Sequence, residues 1–122
     1  MIIKNLKELK AVQWGNGTST RFLVDRDKMG FTVTYTIINQ GSESKMEYKN
    51  HLEAGYCIEG EGEVEDEFGN KNKISKGTLY ALDKHDKHTL RAKTELKLIC
   101  FFSPALKGDE KHELSDSGYS TY

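Results

Sequence analysis

The 122-residue chain is predicted to be all-β, a small sandwich or barrel, and three observations carry that expectation. Stretches in which apolar and polar residues alternate recur at spacings of about ten residues, the separation expected of strands in such folds. Eleven glycines against a single proline punctuate those stretches with turns. Almost nothing in the chain repeats with the 3.6-residue period of an amphipathic helix. About eight or nine short strands follow from the pattern.

In chain order, Asn5 is a helix cap with Glu8 three residues on, so a short N-terminal helix is predicted over residues 6–10. Gly15-Asn16-Gly17 is a turn, residues 20–24 have strand propensity, and the charged turn 25–28 ends what looks like the start of a β-hairpin. Residues 31–38 alternate strictly, with Phe31, Val33, Tyr35 and Ile37 on one face and Thr32, Thr34, Thr36 and Ile38 on the other. The threonine face reads as a solvated exterior, the alternative being the lining of a polar interior. Residues 43–48 lead on as a polar loop or edge strand. From 48 to 62 the chain reads as a strand that carries polar side chains inward, with Glu53, Gly55 and Cys57 alternating with Ala54, Tyr56 and Ile58. It then stops at Glu59-Gly60-Glu61-Gly62. His51 and Glu53 are two residues apart and share a face. Residues 63–68 and 71–74 form a hairpin across a two-residue Gly69-Asn70 connection, and residues 78–82, 88–92 and 96–102 are further strands. The last of these is the most apolar and is stopped by Ser103-Pro104. The polar tail 108–122 is expected to be loosely ordered or to fold over the barrel mouth as a lid.

Hydrophobic residues make up 36% and charged residues 30% of the chain, a composition that closes one core, so residues 1–122 are expected to form one domain. The 18 basic and 19 acidic residues leave a formal net charge of -1 and are scattered, which argues against nucleic-acid binding. No run approaches the ~20 apolar residues of a membrane span, and the N-terminus lacks a secretory apolar segment, so no membrane partner and a cytoplasmic location are expected. Cys57 and Cys100 lie in apolar runs without C-x-x-C spacing and read as buried reduced thiols.

The run Glu53-x-x-Tyr56-Cys57-Ile58-Glu59-Gly60-Glu61-Gly62 resembles the first motif of the cupin superfamily, and Gly77-Thr78-Leu79-Tyr80 matches the spacing of the second. The resemblance implies a jelly-roll-like cupin barrel. Two cupin metal positions depart from the pattern: the usual histidine pair ahead of the glutamate is absent, and Tyr80 stands where the second motif has histidine. One outcome is a metal-free binding barrel. The other is a rewired site in which Glu53 and Tyr80 are joined by a histidine from elsewhere, His88 being the candidate across the next connection. A carboxylate, a phenolate and an imidazole form an O/O/N set suited to a ferrous ion. The plain alternative for Tyr80 is a packed tyrosine with a hydrogen-bonded hydroxyl.

A closer resemblance spans nearly the whole chain. Tyr48-Lys49-Asn50-His51-Leu52-Glu53-Ala54, the stretch 56–63, the run Gly77-Thr78-Leu79-Tyr80-Ala81-Leu82-Asp83-Lys84-His85-Asp86-x-His88 with Leu90-Arg91-Ala92, and the opening and closing segments are similar to the ectoine synthase family of cupins. That resemblance implies cyclisation of N-γ-acetyl-L-2,4-diaminobutyrate to ectoine with loss of water, an iron cofactor, Fe(II), held by Glu53, Tyr80 and His88, and a homodimer. It also implies that Arg21 holds the substrate carboxylate and that Thr36, Tyr48, His51 and Phe102 line the pocket. Glu110 and His112 would reach back over the opening, and Tyr48, His51 and Glu110 are the acid/base groups. One departure stands out: the family has tryptophan in a block just before the arginine, where this chain has Gly17, and its single tryptophan, Trp14, lies three residues earlier. Either Trp14 reaches in through a shifted turn, or the pocket is wider and takes another acylated diamino acid. A non-catalytic small-molecule-binding cupin is the reading from a different class.

Overall fold

The computed structural model of the chain describes residues 1–110, 113–114 and 119–122. Two six-stranded sheets face one another across the apolar core. The first runs in the order β1 (Val12–Trp14), β2 (Gly17–Leu23), β3 (Thr32–Ile38), β10 (Leu96–Ser103), β5 (Leu52–Glu59) and β8 (Leu79–Leu82). The second runs β11 (Glu113–Leu114), β12 (Ser120–Thr121), β4 (Glu43–Met46), β9 (His88–Ala92), β6 (Gly62–Asp66) and β7 (Lys71–Ile74). The architecture is the jelly-roll-like one expected, with its sheets kept as two layers rather than one closed ring. The chain crosses repeatedly between layers, so residues far apart in sequence meet in the space between them.

The apolar strand predicted over 96–102 becomes β10, paired on both sides by β3 and β5. A strand covered on both flanks and packed on one face takes the near-continuous apolar sequence Leu-Lys-Leu-Ile-Cys-Phe-Phe. Its inward set is Leu96, Leu98, Cys100 and Phe102. The predicted N-terminal helix is a single 3-10 turn, Leu6–Glu8, capped by the Asn5 side chain; three residues with no buried face cannot sustain more.

Three expectations are corrected. The threonine face of β3 points inward, with Thr32, Thr34 and Thr36 exposed by 0%, 2% and 4%, so it lines the interior instead of meeting solvent. The 66–70 hairpin is a four-residue loop, not a two-residue one. The Asp66 carboxylate accepts bonds from the Phe68 and Asn70 amides and from the Asn70 side chain, which stabilises the wider turn. The tail is also more built than expected: β12 joins β4 in parallel, and the Glu47 amide donates to the Ser120 carbonyl at 2.9 Å. Both cysteines are free and buried, as read from the sequence.

Candidate active site

Three strands deliver one polar cluster to the space between the sheets. Alternation along β5 turns Glu53 inward, and β8 sets Tyr80 directly opposite Gly55. A Cβ at residue 55 would lie 2.8–2.9 Å from the Tyr80 ring and hydroxyl, so only glycine lets the phenol lie across the strand. His88 opens β9 and is 1% exposed. Its Nδ1–H donates to the Asp86 carbonyl at 2.9 Å, which fixes the tautomer and aims the Nε2 lone pair at the cluster.

Glu53 Oε1 and His88 Nε2 are 3.9 Å apart, and both are buried without a hydrogen-bond partner among the described residues. That distance is too long for a hydrogen bond, and it leaves room for an ion about 2 Å from each. Burial pushes the Glu53 carboxyl up to about 8, against a smaller lowering by the Cys100 thiol, and burial holds His88 below its ordinary value. Desolvation raises the Tyr80 phenol well above its usual range, with the Glu53 charge adding to it. At neutral pH the pair by itself is therefore a carboxylic acid facing a neutral imidazole rather than an ion pair.

The two shifts act oppositely on stability. Because the Glu53 pKa is raised on folding, the native state keeps a proton that the unfolded chain loses, and stability falls as pH rises from 4.5 to about 8. Because the His88 pKa is lowered, stability falls as pH drops below 6.5. The slopes oppose one another in the acid range, and only that of Glu53 remains above 6.5. Chelator-treated protein is expected to lose roughly 2 kcal/mol between pH 6.5 and 8, and Glu53→Gln to remove that slope. Denaturant melts at the two pH values read it; an unchanged slope in the variant would assign the titration elsewhere.

The walls around the cluster include Thr34, Thr36, Tyr48, Cys100, Phe102 and Tyr122, and they leave about 10 Å³ free, room for one water. The Thr34 and Thr36 hydroxyls are 2.9 Å apart, and both bond to the Cys100 thiol. Tyr48 is buried, and its phenol is held well above its ordinary value by desolvation first and the Glu53 charge second, so it stays a donor. Tyr122 stacks on Tyr48 with ring centroids 4.9 Å apart and meets the edge of Phe102 at 5.6 Å. Thr34, Cys100 and Tyr122 were missed in the sequence. Cys100 shares the inward set of β10 with Phe102, so alternation alone could have found it.

The remaining expected residues sit at the rim. Arg21 donates from Nη1 to the Gly108 carbonyl at 2.7 Å and from Nη2 to the Glu110 carbonyl, and it lies 5.9 Å from the Tyr122 ring centre. Its Nε is buried without a partner among the described residues. The Glu110 carboxylate does not line the cavity. It accepts the Lys107 and Gly108 amides at 2.7 and 2.8 Å; burial raises its pKa, but these bonds with its own amide and the Arg21 charge leave it below its ordinary value. His51 donates from Nδ1 to the Pro104 carbonyl at 2.8 Å, 6.5 Å from the Phe102 ring. His112 lies outside the described residues.

The tryptophan question has a direct structural answer. A Cβ at Gly17 would fall 1.8 Å from the Ile37 carbonyl oxygen, so no side chain fits there. Trp14 lies opposite Gly17 in the β1–β2 register and lines the cavity, 6% exposed. The indole reaches in from the other arm of the hairpin.

The family model described as ectoine synthase matches residues 1–121. L-ectoine synthase of Marinomonas sp. (strain MWYL1) is 53% identical over 106 residues, 86% of this chain and 81% of that protein. L-ectoine synthase of Halalkalibacterium halodurans is 47% identical, over 92% of this chain and 85% of that one. The crystal structure of ectoine synthase from P. lautus superimposes with a TM-score of 0.86 at 44% identity, covering 88% of this chain and 81% of its own. An RmlC-like cupin from Shewanella frigidimarina, at 19% identity and TM-score 0.72, shares the fold.

Proposed function

The chain belongs to the ectoine synthase family, and from that premise we propose that it is a lyase closing N-γ-acetyl-L-2,4-diaminobutyrate into ectoine with loss of water. The observation that carries this reading into the site is the pair of buried, unpartnered ligand atoms on Glu53 and His88. Beside them Tyr80 packs over Gly55. Among the described residues no group of three His, Cys, Asp or Glu is placed to hold a metal; here the third donor is a phenol. The set suits a hard-to-borderline cation, and Glu53, Tyr80 and His88 would hold Fe(II). Ferrous iron bound there supplies Lewis acidity toward the amide oxygen.

The chain's own residues do the rest. Ring closure requires the α-amine, once deprotonated, to attack the carbonyl carbon of the γ-acetamide, after which the carbonyl oxygen leaves as water. Arg21 holds the substrate carboxylate: its terminal nitrogens exchange the Gly108 and Glu110 carbonyls for carboxylate oxygens. Tyr48, protonated at all ordinary pH, donates to the oxygen that leaves. His51 and the ionised Glu110 are the bases within reach of the mouth. Thr34, Thr36 and Phe102 fold the substrate so that nucleophile and carbonyl meet. Tyr122 acts as the lid: it lines the cavity and stacks on Tyr48, and substrate must displace it. Anaerobic chelation should abolish cyclisation and ferrous iron restore it; full activity in the stripped protein would end the iron assignment.

Homodimerisation belongs to the same proposal. The outer face of the first sheet carries a contiguous apolar patch, Phe101 flanked by Val33 and Ala54, and Ile99 by Tyr35 and Tyr56, with Phe101, Tyr56 and Leu79 exposed. A monomer gains by covering such a patch with its own copy. Phe101→Glu is expected to sediment as a folded monomer where the parent is a dimer; an unchanged mass would move the interface to the strand edges. No described helix is long and apolar enough to cross a membrane, and a cytoplasmic location completes the reading.

A further inference from the structure

The chain's single tryptophan ends the three-residue edge strand β1, where it stands level with Ile38 rather than with the polar cluster. Along the strands the cavity wall runs from Tyr80 and Thr34, both level with Cys100, through Thr36 and Leu98 to Ile38 and Trp14. The register fixes the direction. Arg21 lies opposite Thr34 and Gly17 opposite Ile38, two inward positions further along β3. A substrate whose carboxylate is held by Arg21 at the mouth therefore points its far end at the apolar floor. In an N-γ-acyl diaminobutyrate the far end is the acyl group, and its alkyl part stays outside the new ring, needing a dry recess of matching length.

We propose that Trp14 sets the acyl chain length the enzyme accepts, its indole forming the end wall against the methyl of the γ-acetyl group; this rests on the cyclase reading above. Trp14 is firmly placed for the task. Gly17 across the hairpin admits no side chain, so nothing from β2 shares that end of the recess. A hydrophobic wall of this kind discriminates one methylene by about 10–200-fold.

The test compares kcat/KM for N-γ-acetyl- and N-γ-propionyl-2,4-diaminobutyrate in iron-loaded parent, Trp14→Phe and Trp14→Ala. The parent should prefer acetyl at least about tenfold, and the variants should shift the propionyl-to-acetyl ratio toward propionyl by about tenfold or more. Because there is one indole, its emission in the parent is a second readout that needs no variant to fold. Saturating acetyl substrate or product should change it, with a midpoint that follows binding. An unchanged ratio in a folded variant, or constant emission while the parent turns over, overturns the role of Trp14 and leaves the cyclase reading intact. A parent that cyclises neither compound overturns both.

Discussion

Glu53→Ala is expected to abolish iron binding and cyclisation together, in a protein that still folds. Glu53 and His88 present two unpartnered buried atoms 3.9 Å apart, so removing the carboxylate leaves an imidazole and a phenol with no third partner. Loss of Lewis-acid stabilisation worth several kcal/mol corresponds to a fall in kcat/KM of about a thousandfold or more. The same substitution should relieve the metal-stripped protein at pH 8, where a carboxyl raised to about 8 is a cost to folding. Opposite signs for activity and stability mark a residue kept for chemistry rather than packing. Anaerobic metal analysis and thermal melts read the two effects; full iron content with full turnover would refute the ligand assignment.

Arg21→Ala is expected to raise KM by about a hundredfold or more, with a smaller change in kcat. A charge-assisted pair with a carboxylate is worth about 1.5–3 kcal/mol, and the guanidinium fork makes two such bonds. Arg21→Lys keeps the charge but not the fork, so it recovers only part of the loss. Arg21 also ties down the tail through the Gly108 and Glu110 carbonyls, and a purely structural role would lower the melting temperature while sparing KM. Steady-state kinetics beside a melt separate the two, and a KM within twofold of the parent would remove Arg21 from the substrate.

Strand positions were legible because alternation survives wherever one face of a strand is buried, as in β3, β5 and β10. Which face of β3 is inside was not. Thr32, Thr34 and Thr36 look like a solvated surface by composition, and only the enclosure of a polar cavity makes them interior. The positions of the three expected ligand residues were legible because broken motif positions still fall where Glu53 and Tyr80 line the cavity and His88 faces Glu53. Tyr122 and Cys100 escaped, the first because a polar tail carries no periodic signal before it finds β4, the second because a thiol in an apolar strand reads as core. Trp14 reads as displaced when spacing is counted along the chain. It falls into place only across a hairpin, where register rather than sequence distance decides who faces whom.

The most direct measurement of the central claim is anaerobic turnover of N-γ-acetyl-L-2,4-diaminobutyrate by the iron-loaded protein, followed as ectoine by chromatography, with Tyr80→Phe in parallel. The account predicts ectoine formation that scales with bound iron and is lost in the variant. Iron bound at one per chain without any ectoine, or ectoine formed equally well by Tyr80→Phe, would contradict it.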